Sequence, residues 1–485
     1  MKEMIPQHII DYIKDTRLVV RRHNQVKSGC VFVLASINLS DAAKIDFIKD
    51  AITSGAKFII TDTSIATQIE CESVVGVQDP SFVWAFIASI LYDRTPQCIA
   101  AITGTSGKTS VSYIYAQVAA IISSKALYIG TLGVLKIHSD LSVEKIADTL
   151  TTPDALDLRK ILFDAQDCHY ACIEASSHGI EQNRIAYTPI TTAGFTNLSS
   201  EHLDYHNNIE NYFQAKEKLF TEHNIENFVL NCDDKYAMKI QIDNKNVIKY
   251  GTVGNLKLVD LYPGKSMKIQ YNAQEFEFKY HLLGEYNAYN FLCAVGMLLQ
   301  SGFEINEILE AAHKISLPEG RMQKLYNDKL EVYVDYAHKP NALKAALNAI
   351  IDYRDTNAKG RIWVVFGCGG DRDKSKRPIM GNIAASLADF VVITDDNPRY
   401  ENPAVIRQEI AQGIRGEYIE IGDRKSAIEY AIKNAAVDDI ILVAGKGHEK
   451  YQIIGKTKTN FCDIITTSVI LNNIKKNDTA NRQYS

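Results

Sequence analysis

Gly104-Thr-Ser-Gly-Lys-Thr109 follows directly on the apolar run Cys98 to Ile102 and decides how the middle of this 485-residue chain is read. An apolar strand feeds a glycine turn, then a lysine and a hydroxyl. Thr109 opens an amphipathic stretch, Ser110 to Ile122, with helical spacing. That order suits a triphosphate. Glycines let backbone N–H groups of Gly104, Thr105, Ser106 and Gly107 approach anionic oxygens, and the helix N-terminus adds positive potential. Lys108 supplies a cation, and the Thr109 hydroxyl can hold Mg²⁺. The loop is not a strict Walker A sequence, because Ile102 stands where its first glycine would be. A tight strand-to-helix turn with no ligand is the alternative at this point.

Outward from the loop, strands and helices alternate. Before it, Cys30 to Ala35 and Lys57 to Thr61 read as strands, with helices at Ile45 to Ser54 and Ser81 to Tyr92. After it come strand candidates at Tyr170 to Ala175, Thr191 to Thr196 and Phe228 to Asn231. Leu256 to His281 reads as a small antiparallel insertion, followed by a helix from Ala288 to Ser301. From residue 318 the strands are Leu330 to Val334, Arg361 to Phe366, Phe390 to Thr394, Tyr418 to Ile421 and Ile440 to Ala444. The fold class is therefore α/β with parallel sheets. Three domains are expected, at 1–97, 98–317 and 318–485. Four of the later strands end in polar clusters: Asp335-Tyr-Ala-His338, Gly367 to Arg372, Asp395 to Arg399 and Gly445 to Glu449. Ligands of open α/β sheets bind at such carboxyl ends.

Net charge is −5, so no global basic field points to nucleic acid. Nine scattered cysteines show no zinc spacing and read as thiols of a reducing compartment. No apolar run approaches membrane length and no basic-then-apolar signal opens the chain. A cytoplasmic protein without membrane contact is expected. The tail from Asn472 to Ser485 reads as a frayed end.

Glu174, at the end of a strand in Glu174-Ala-Ser-Ser-His-Gly179, can face a cation, with a helix cap at Ser176 or Ser177 as the alternative. Glu201 to His206 holds two histidines and two acids, suited either to metal or proton chemistry or to a polar surface. Lys216 and Lys218 lie on an amphipathic helix, Tyr212 to Phe220, where a solvated face is the simplest reading.

Taken together and in order, these segments resemble the Mur ligases of peptidoglycan synthesis, specifically the MurE type, over residues 98–470. The resemblance rests on Thr103 to Thr109, Glu174 to Gly179, Thr196-Asn-Leu-Ser199 with His202 to His206, Asp335 to His338, Gly367 to Pro378, Asp396-Asn-Pro-Arg399 and Gly445 to Glu449. It implies a small UDP-binding N-terminal domain, a central ATPase and a C-terminal Rossmann-like domain. It also implies an ATP-dependent amide ligase that adds meso-2,6-diaminopimelate to UDP-N-acetylmuramoyl-L-alanyl-D-glutamate through an acyl phosphate, as a monomer, with two Mg²⁺ ions. Members that take lysine instead usually lack the arginine of Asp-Asn-Pro-Arg.

By the same resemblance, Lys108 and Thr109 would hold ATP phosphates and Mg²⁺, and Glu174 and His202 would ligate magnesium. Lys216 would be carbamylated and bind a second ion. Asn290, Arg321, Asp335 and His338 would meet the adenosine and its phosphates. Thr16, Thr151, Thr152, Ser176, Gln182 and Arg184 would contact the muramoyl-dipeptide. Arg372, Asp396, Asn397, Pro398, Arg399, Gly445 and Glu449 would hold the incoming amino acid, with Arg399 alternatively a loop residue paired to Glu401. Two departures stand out. Only 14 residues precede Asp15-Thr-Arg17, which resembles the family's Asp-Ser-Arg element, and the glycine-rich stretch near the uridine site is here Ala35 to Ala43. The competing readings are another ligase of the superfamily, such as a folylpolyglutamate synthetase, and a non-catalytic nucleotide-binding module.

Overall fold

The computed structural model describes residues 5–35, 39–242, 246–326 and 330–483. The chain packs into two compact units, Met1–Lys257 with Asn290–Ala311, and Leu258–Tyr289 with Ala312–Ser485.

The first unit holds two sheets. Strands β1 (Val19–Val20), β2 (Val31–Val33), β3 (Phe58–Asp62) and β4 (Val74–Val77) pair in that order, all parallel. Part of the divergent stretch Ala35 to Ala43, residues 36–38, lies outside the described residues. The larger sheet contains β5 (Cys98–Thr103), β6 (Lys125–Gly130), β7 (Gly133–His138), β8 (Val143–Ala147), β9 (Tyr170–Glu174), β10 (Thr192–Phe195), β11 (Asn227–Asn231) and β12 (Val247–Gly251). Their order is β12-β11-β10-β5-β9-β6-β7-β8. All pairs are parallel except β6 with β7 and β7 with β8. The strand that feeds the glycine loop, β5, thus lies between β10 and β9. Its residues Ile99 to Ile102 are fully buried, as a central parallel strand requires.

Strands β13 (Leu256–Tyr262), β14 (Ser266–Tyr271) and β15 (Gln274–Lys279) form where an antiparallel insertion is expected, and β14 and β15 do pair antiparallel. The second unit's sheet contains β16 (Gln323–Tyr326), β17 (Glu331–Asp335), β18 (Ile362–Phe366), β19 (Phe390–Ile393), β20 (Ile419–Glu420) and β21 (Ile440–Ala444). It runs β16-β17-β21-β18-β19-β20, parallel apart from β16. Residues of β18 alternate between two cores: Val364 and Phe366 face one, Trp363 and Val365 the other. A hairpin of β22 (Tyr451–Ile454) and β23 (Thr457–Asn460) follows. In the expected tail the backbone continues the helix Asp463–Gln483. The β6–β8 ribbon has no counterpart in the expected strands; its edge strand β8 is exposed from Val143 to Ile146, whereas β6 and β7 are largely buried.

One buried ion pair ties the second unit together. Arg424 donates through Nε and Nη2 to Asp463 at 2.8 and 2.7 Å, and through Nη2 to the Ala444 carbonyl at 2.9 Å. Both side chains are 0% exposed. Removing one partner strands the other charge, so Asp463→Ala should lose about 3–5 kcal/mol of stability in chemical denaturation. Replacing both residues with Met and Leu should recover most of that, since the paired charges gain little over a packed apolar pair. A loss below about 1 kcal/mol for Asp463→Ala would show that water reaches the pair.

Candidate active site

The loop after β5 adopts backbone shapes that require glycine. Gly104 sits at φ +141° and Gly107 at φ +90°. A Cβ on Gly104 would lie 1.9 Å from Thr196 Oγ1, and one on Gly107 would lie 2.3 Å from Asn290 Oδ1. Gly107 is the N-cap of the helix Lys108–Ser123, whose first amides point into the loop. The loop is braced from the end of β10. The Thr105 amide donates to the Asn197 carbonyl at 2.8 Å, the Ser106 amide to Asn197 Oδ1 at 3.1 Å, and Thr196 Oγ1 to the Ser106 carbonyl at 2.7 Å.

Two lysines converge on this loop. Lys108 Nζ donates to the carbonyls of Gly104 and Thr105 at 2.7 and 3.0 Å. Lys216 Nζ donates to the same Gly104 carbonyl at 2.8 Å and lies 4.5 Å from the Tyr212 ring. Lys216 is 1% exposed, which overturns the solvated-face reading. The signal was present in the sequence: Tyr212, Phe213, Leu219 and Phe220 define the buried face of the helix Ile209–Thr221, and position 216 falls in its middle. Burial, reinforced by the Lys108 charge, holds the Lys216 ammonium well below the usual lysine range.

Glu174 is 1% exposed at the end of β9. Its carboxylate accepts from Thr109 Oγ1 at 3.0 Å, the Thr131 amide at 3.0 Å, Thr131 Oγ1 at 3.1 Å and the Tyr128 hydroxyl. Burial, reinforced by the neighbouring Glu174 carboxylate, pushes the Tyr128 phenol up. A carboxylate beside a hydroxyl is an all-oxygen donor set, which fits a hard dication such as Mg²⁺. Among the described residues no group of three or more His, Cys, Asp or Glu side chains is gathered to hold a metal unaided. His202 is exposed, at φ +54°, and stacks edge-on to His178 at 5.4 Å and 6.0 Å from Tyr212. His206 is buried instead, 2.9 Å from Ser177 Oγ and 3.6 Å from Glu181.

The Thr151-Thr152 loop packs beside Glu174. Thr152 Oγ1 donates to the Glu174 carbonyl at 2.7 Å and lies 2.9 Å from Ser176 Oγ, and Thr151 Oγ1 lies 3.2 Å from Thr131 Oγ1. Ser176 caps the helix Ser177–Glu181 through the Gly179 amide at 3.1 Å, so its cap reading holds. Arg184 donates to the Thr152 carbonyl at 2.8 Å and to Gln182 Oε1 at 2.7 Å. Thr16 ends the helix Gln7–Thr16 and bonds the Tyr12 carbonyl within it. The N-terminal segment instead reaches this loop through Arg21 and Trp84, which both donate to Asp154, the residue after Pro153. Arg21, Lys44, Gln78, Ser81 and Gln182 line a cleft of about 710 Å³. Arg21 and Lys44, cations of this cleft, are not among the residues expected from the sequence, where nothing local marks them.

In the second unit, Asp335 is buried at the end of β17 and accepts the Met322 and Ala337 amides at 2.7 and 2.8 Å. Burial pushes its carboxyl up, opposed by Arg321. The Arg321 guanidinium lies 4.6 Å over the Tyr336 ring, beside His338 and His448. After β19, Asn397 Nδ2 donates to Glu449 Oε2 at 2.9 Å, and the fully buried Lys446 reaches both residues at 3.1 Å. Arg399, at φ +51°, donates through Nη1 to the Gly370 carbonyl at 2.8 Å. The alternative pairing of Arg399 with Glu401 is not formed. Glu401 takes Arg377 at 2.9 Å and Lys374 at 3.2 Å, and these hold its carboxyl down at about 2. Arg372 is exposed, bonded at 3.3 Å to the Asp371 carbonyl. Pro398 and Gly445 complete this edge, the Gly445 amide donating to the Asp335 carbonyl at 3.0 Å.

Gly104→Ala should fold but lose at least about a hundredfold in nucleoside triphosphate affinity by calorimetry, since a Cβ and a strained φ displace amides and carbonyl together. Affinity within threefold of the unmutated protein would show that this loop does not cradle phosphate.

Residues 102–298 match the Mur ligase middle domain, and residues 320–447 match the Mur ligase, glutamate ligase domain. A Rickettsia rickettsii protein named UDP-N-acetylmuramoyl-L-alanyl-D-glutamate--2,6-diaminopimelate ligase is 40% identical over 430 residues, covering 86% of this chain and 88% of that one. A protein of the same name from Agrobacterium fabrum is 36% identical over 449 residues, covering 90% and 89%. A solved structure titled for the same ligase matches with a TM-score of 0.71 at 29% identity, covering 94% of this chain and 95% of that one. MurF ligase of Thermotoga maritima in complex with ADP shares the fold, with a TM-score of 0.60 at 16% identity and coverage of 97% and 99%. With its two domain matches, and relatives aligned over nearly their whole length, this chain belongs to the Mur ligase family.

Proposed function

We propose that this protein is the ATP-dependent ligase that adds meso-2,6-diaminopimelate to UDP-N-acetylmuramoyl-L-alanyl-D-glutamate, through an acyl phosphate, in peptidoglycan synthesis. The observation that carries the reading is the convergence of Lys108 and Lys216 on the Gly104 carbonyl, beside the buried Thr109–Glu174 contact. The curated relatives named for this reaction support the choice of substrates. In keeping with the family resemblance, residues 1–97, 98–317 and 318–485 are assigned to nucleotide-sugar, ATP and amino acid.

A carboxylate is a poor electrophile. Transfer of the γ-phosphoryl group to it makes an acyl phosphate; the amine then attacks the acyl carbon and phosphate leaves. Every step gathers negative charge, so fixed cations and amides do most of the work. The loop amides from Gly104 to Thr109 and the Lys108 ammonium hold the β- and γ-phosphates. Asn290, Arg321, Asp335 and His338 are assigned to the adenosine end of ATP. Thr109 and Glu174, with His202, would hold Mg²⁺, which neutralises phosphate oxygens when bound. Lys216, whose ammonium form burial disfavours, can add CO₂ at Nζ as the free amine: the N–C bond forms, a proton leaves, and a carbamate anion results that could serve a second ion. Thr16, Thr151, Thr152, Ser176, Gln182 and Arg184 are assigned to the muramoyl-dipeptide. Arg372, Asp396, Asn397, Pro398, Arg399, Gly445 and Glu449 are assigned to the amino acid. Arg399 can receive the far carboxylate of diaminopimelate through parallel N–H···O bonds.

Lys108→Ala should lower kcat at least about a hundredfold, as expected for one charge-stabilising donor worth about 3–4 kcal/mol. A loss below about fivefold would remove Lys108 from the phosphate site. Lys216→Ala should be folded and inactive, and short carboxylic acids should restore part of its activity; full activity at low CO₂ would rule the carbamate out. The unmutated enzyme should prefer meso-diaminopimelate to L-lysine by at least about a hundredfold in kcat/KM. Arg399→Ala should lose most of that preference. Equal rates with the two amino acids at subsaturating concentration would refute the substrate assignment.

A further inference from the structure

Lys446 lies two residues beyond β21 with its side chain 0% exposed. Its Nζ is 3.1 Å from Glu449 Oε2, 3.1 Å from Asn397 Oδ1 and 3.4 Å from Asp396 Oδ1. An ammonium carries three N–H donors and no acceptor, and these three partners use them all. Lys446 therefore has no donor left for a ligand. It acts through Asp396, Asn397 and Glu449, which are the groups assigned to the amino acid.

Its effect is both geometric and electrostatic. Asn397 Oδ1 also accepts the Ile453 amide at 3.0 Å, and Asn397 Nδ2 donates to Glu449 Oε2, so the lysine fixes the amide's orientation and one carboxylate oxygen together. Asp396 and Glu449 bring two negative charges to this edge, and Lys446 offsets one of them. The nearby Arg424 is committed to Asp463 and leaves that count unchanged. Whatever other charges surround the site, losing Lys446 makes it one unit more negative. That change favours an amino acid whose far end is a bare ammonium over one whose far end carries both an ammonium and a carboxylate.

We infer that Lys446 is a specificity-determining positioning residue: by cancelling one carboxylate beside Asn397 and Glu449, it tunes the pocket to a zwitterionic far end and against a cationic one. The inference rests on the diaminopimelate assignment above.

The test compares Lys446→Met, Lys446→Gln and Lys446→Arg in the full chain, with thermal melting as a check on folding and kcat/KM measured for meso-diaminopimelate and L-lysine. The neutral variants should narrow the diaminopimelate-to-lysine ratio at least about tenfold, mainly through a higher KM for diaminopimelate, while the arginine variant keeps the ratio within about threefold. An equal fall with both amino acids would overturn the inference and leave Lys446 a general scaffold residue. So would unfolding of both neutral variants while the arginine variant folds. If the unmutated enzyme shows no preference for meso-diaminopimelate, the substrate assignment fails and this inference falls with it. If that preference exists and survives in the neutral variants, only the inference about Lys446 fails.

Discussion

Two ammonium groups meet at one backbone carbonyl, that of Gly104, and much of the first unit is arranged to make this tolerable. The carbonyl can point that way because Gly104 has φ +141° and no side chain. Thr196 and Asn197 hold the loop from the next strand, and the helix behind Lys108 fixes where its side chain starts. Like charges so close cost energy in a buried setting, and the cost falls on the more buried partner. Lys216 is driven toward its neutral form, the form that can act as a nucleophile toward CO₂. Burial, with the like charge of Lys108 adding to it, thus favours the free amine of Lys216 beside the glycine loop.

The second unit handles charge differently. Arg424, Arg377 and Lys446 are each 0% exposed, and each is matched by carboxylates within hydrogen-bonding reach. Arg377 also donates to the Gly369 carbonyl at 3.1 Å, one residue from the carbonyl that Arg399 uses. Buried ion pairs of this kind add little to stability but fix where loops lie. Here they hold three loop ends, those after β18, β19 and β21, at one edge of the sheet.

Much of this was legible in the sequence because the two strongest signals are local. Continuous apolar runs such as Ile440 to Ala444 suit interior parallel strands, and the polar residues that follow them mark the carboxyl edge. The glycine loop announced itself through spacing. What escaped depends on partners far away in the chain. Lys446 reads as an ordinary loop cation between two glycines, and its burial is explained only when Asp396 and Asn397, some fifty residues earlier, join the nearby Glu449 around it. Lys216 was visible as a break in an apolar helical face, a cue that residue-type expectations about lysine overrode. Within the β6–β8 ribbon only β8 is hidden by exposure; β6 and β7 carry buried apolar residues such as Leu127, Ile129, Val134 and Ile137, and their signal was there to be read.

Arg399 is held by its main chain as well as its side chain. Its amide donates to the Ile453 carbonyl at 3.0 Å, its carbonyl accepts the Gly455 amide at 2.6 Å, and it pairs with Ile454 as a strand residue would. The arginine is in effect a detached rung of the β22–β23 ribbon. Its guanidinium can swing about its own torsions, but its Cα is set by the ribbon. If Arg399 receives the amino acid as proposed, substrate choice is an inherited property of a hairpin's register. An evolving lineage, or an engineer, could shift the reach of the arginine by lengthening that ribbon, leaving every residue of the Asp-Asn-Pro-Arg stretch in place.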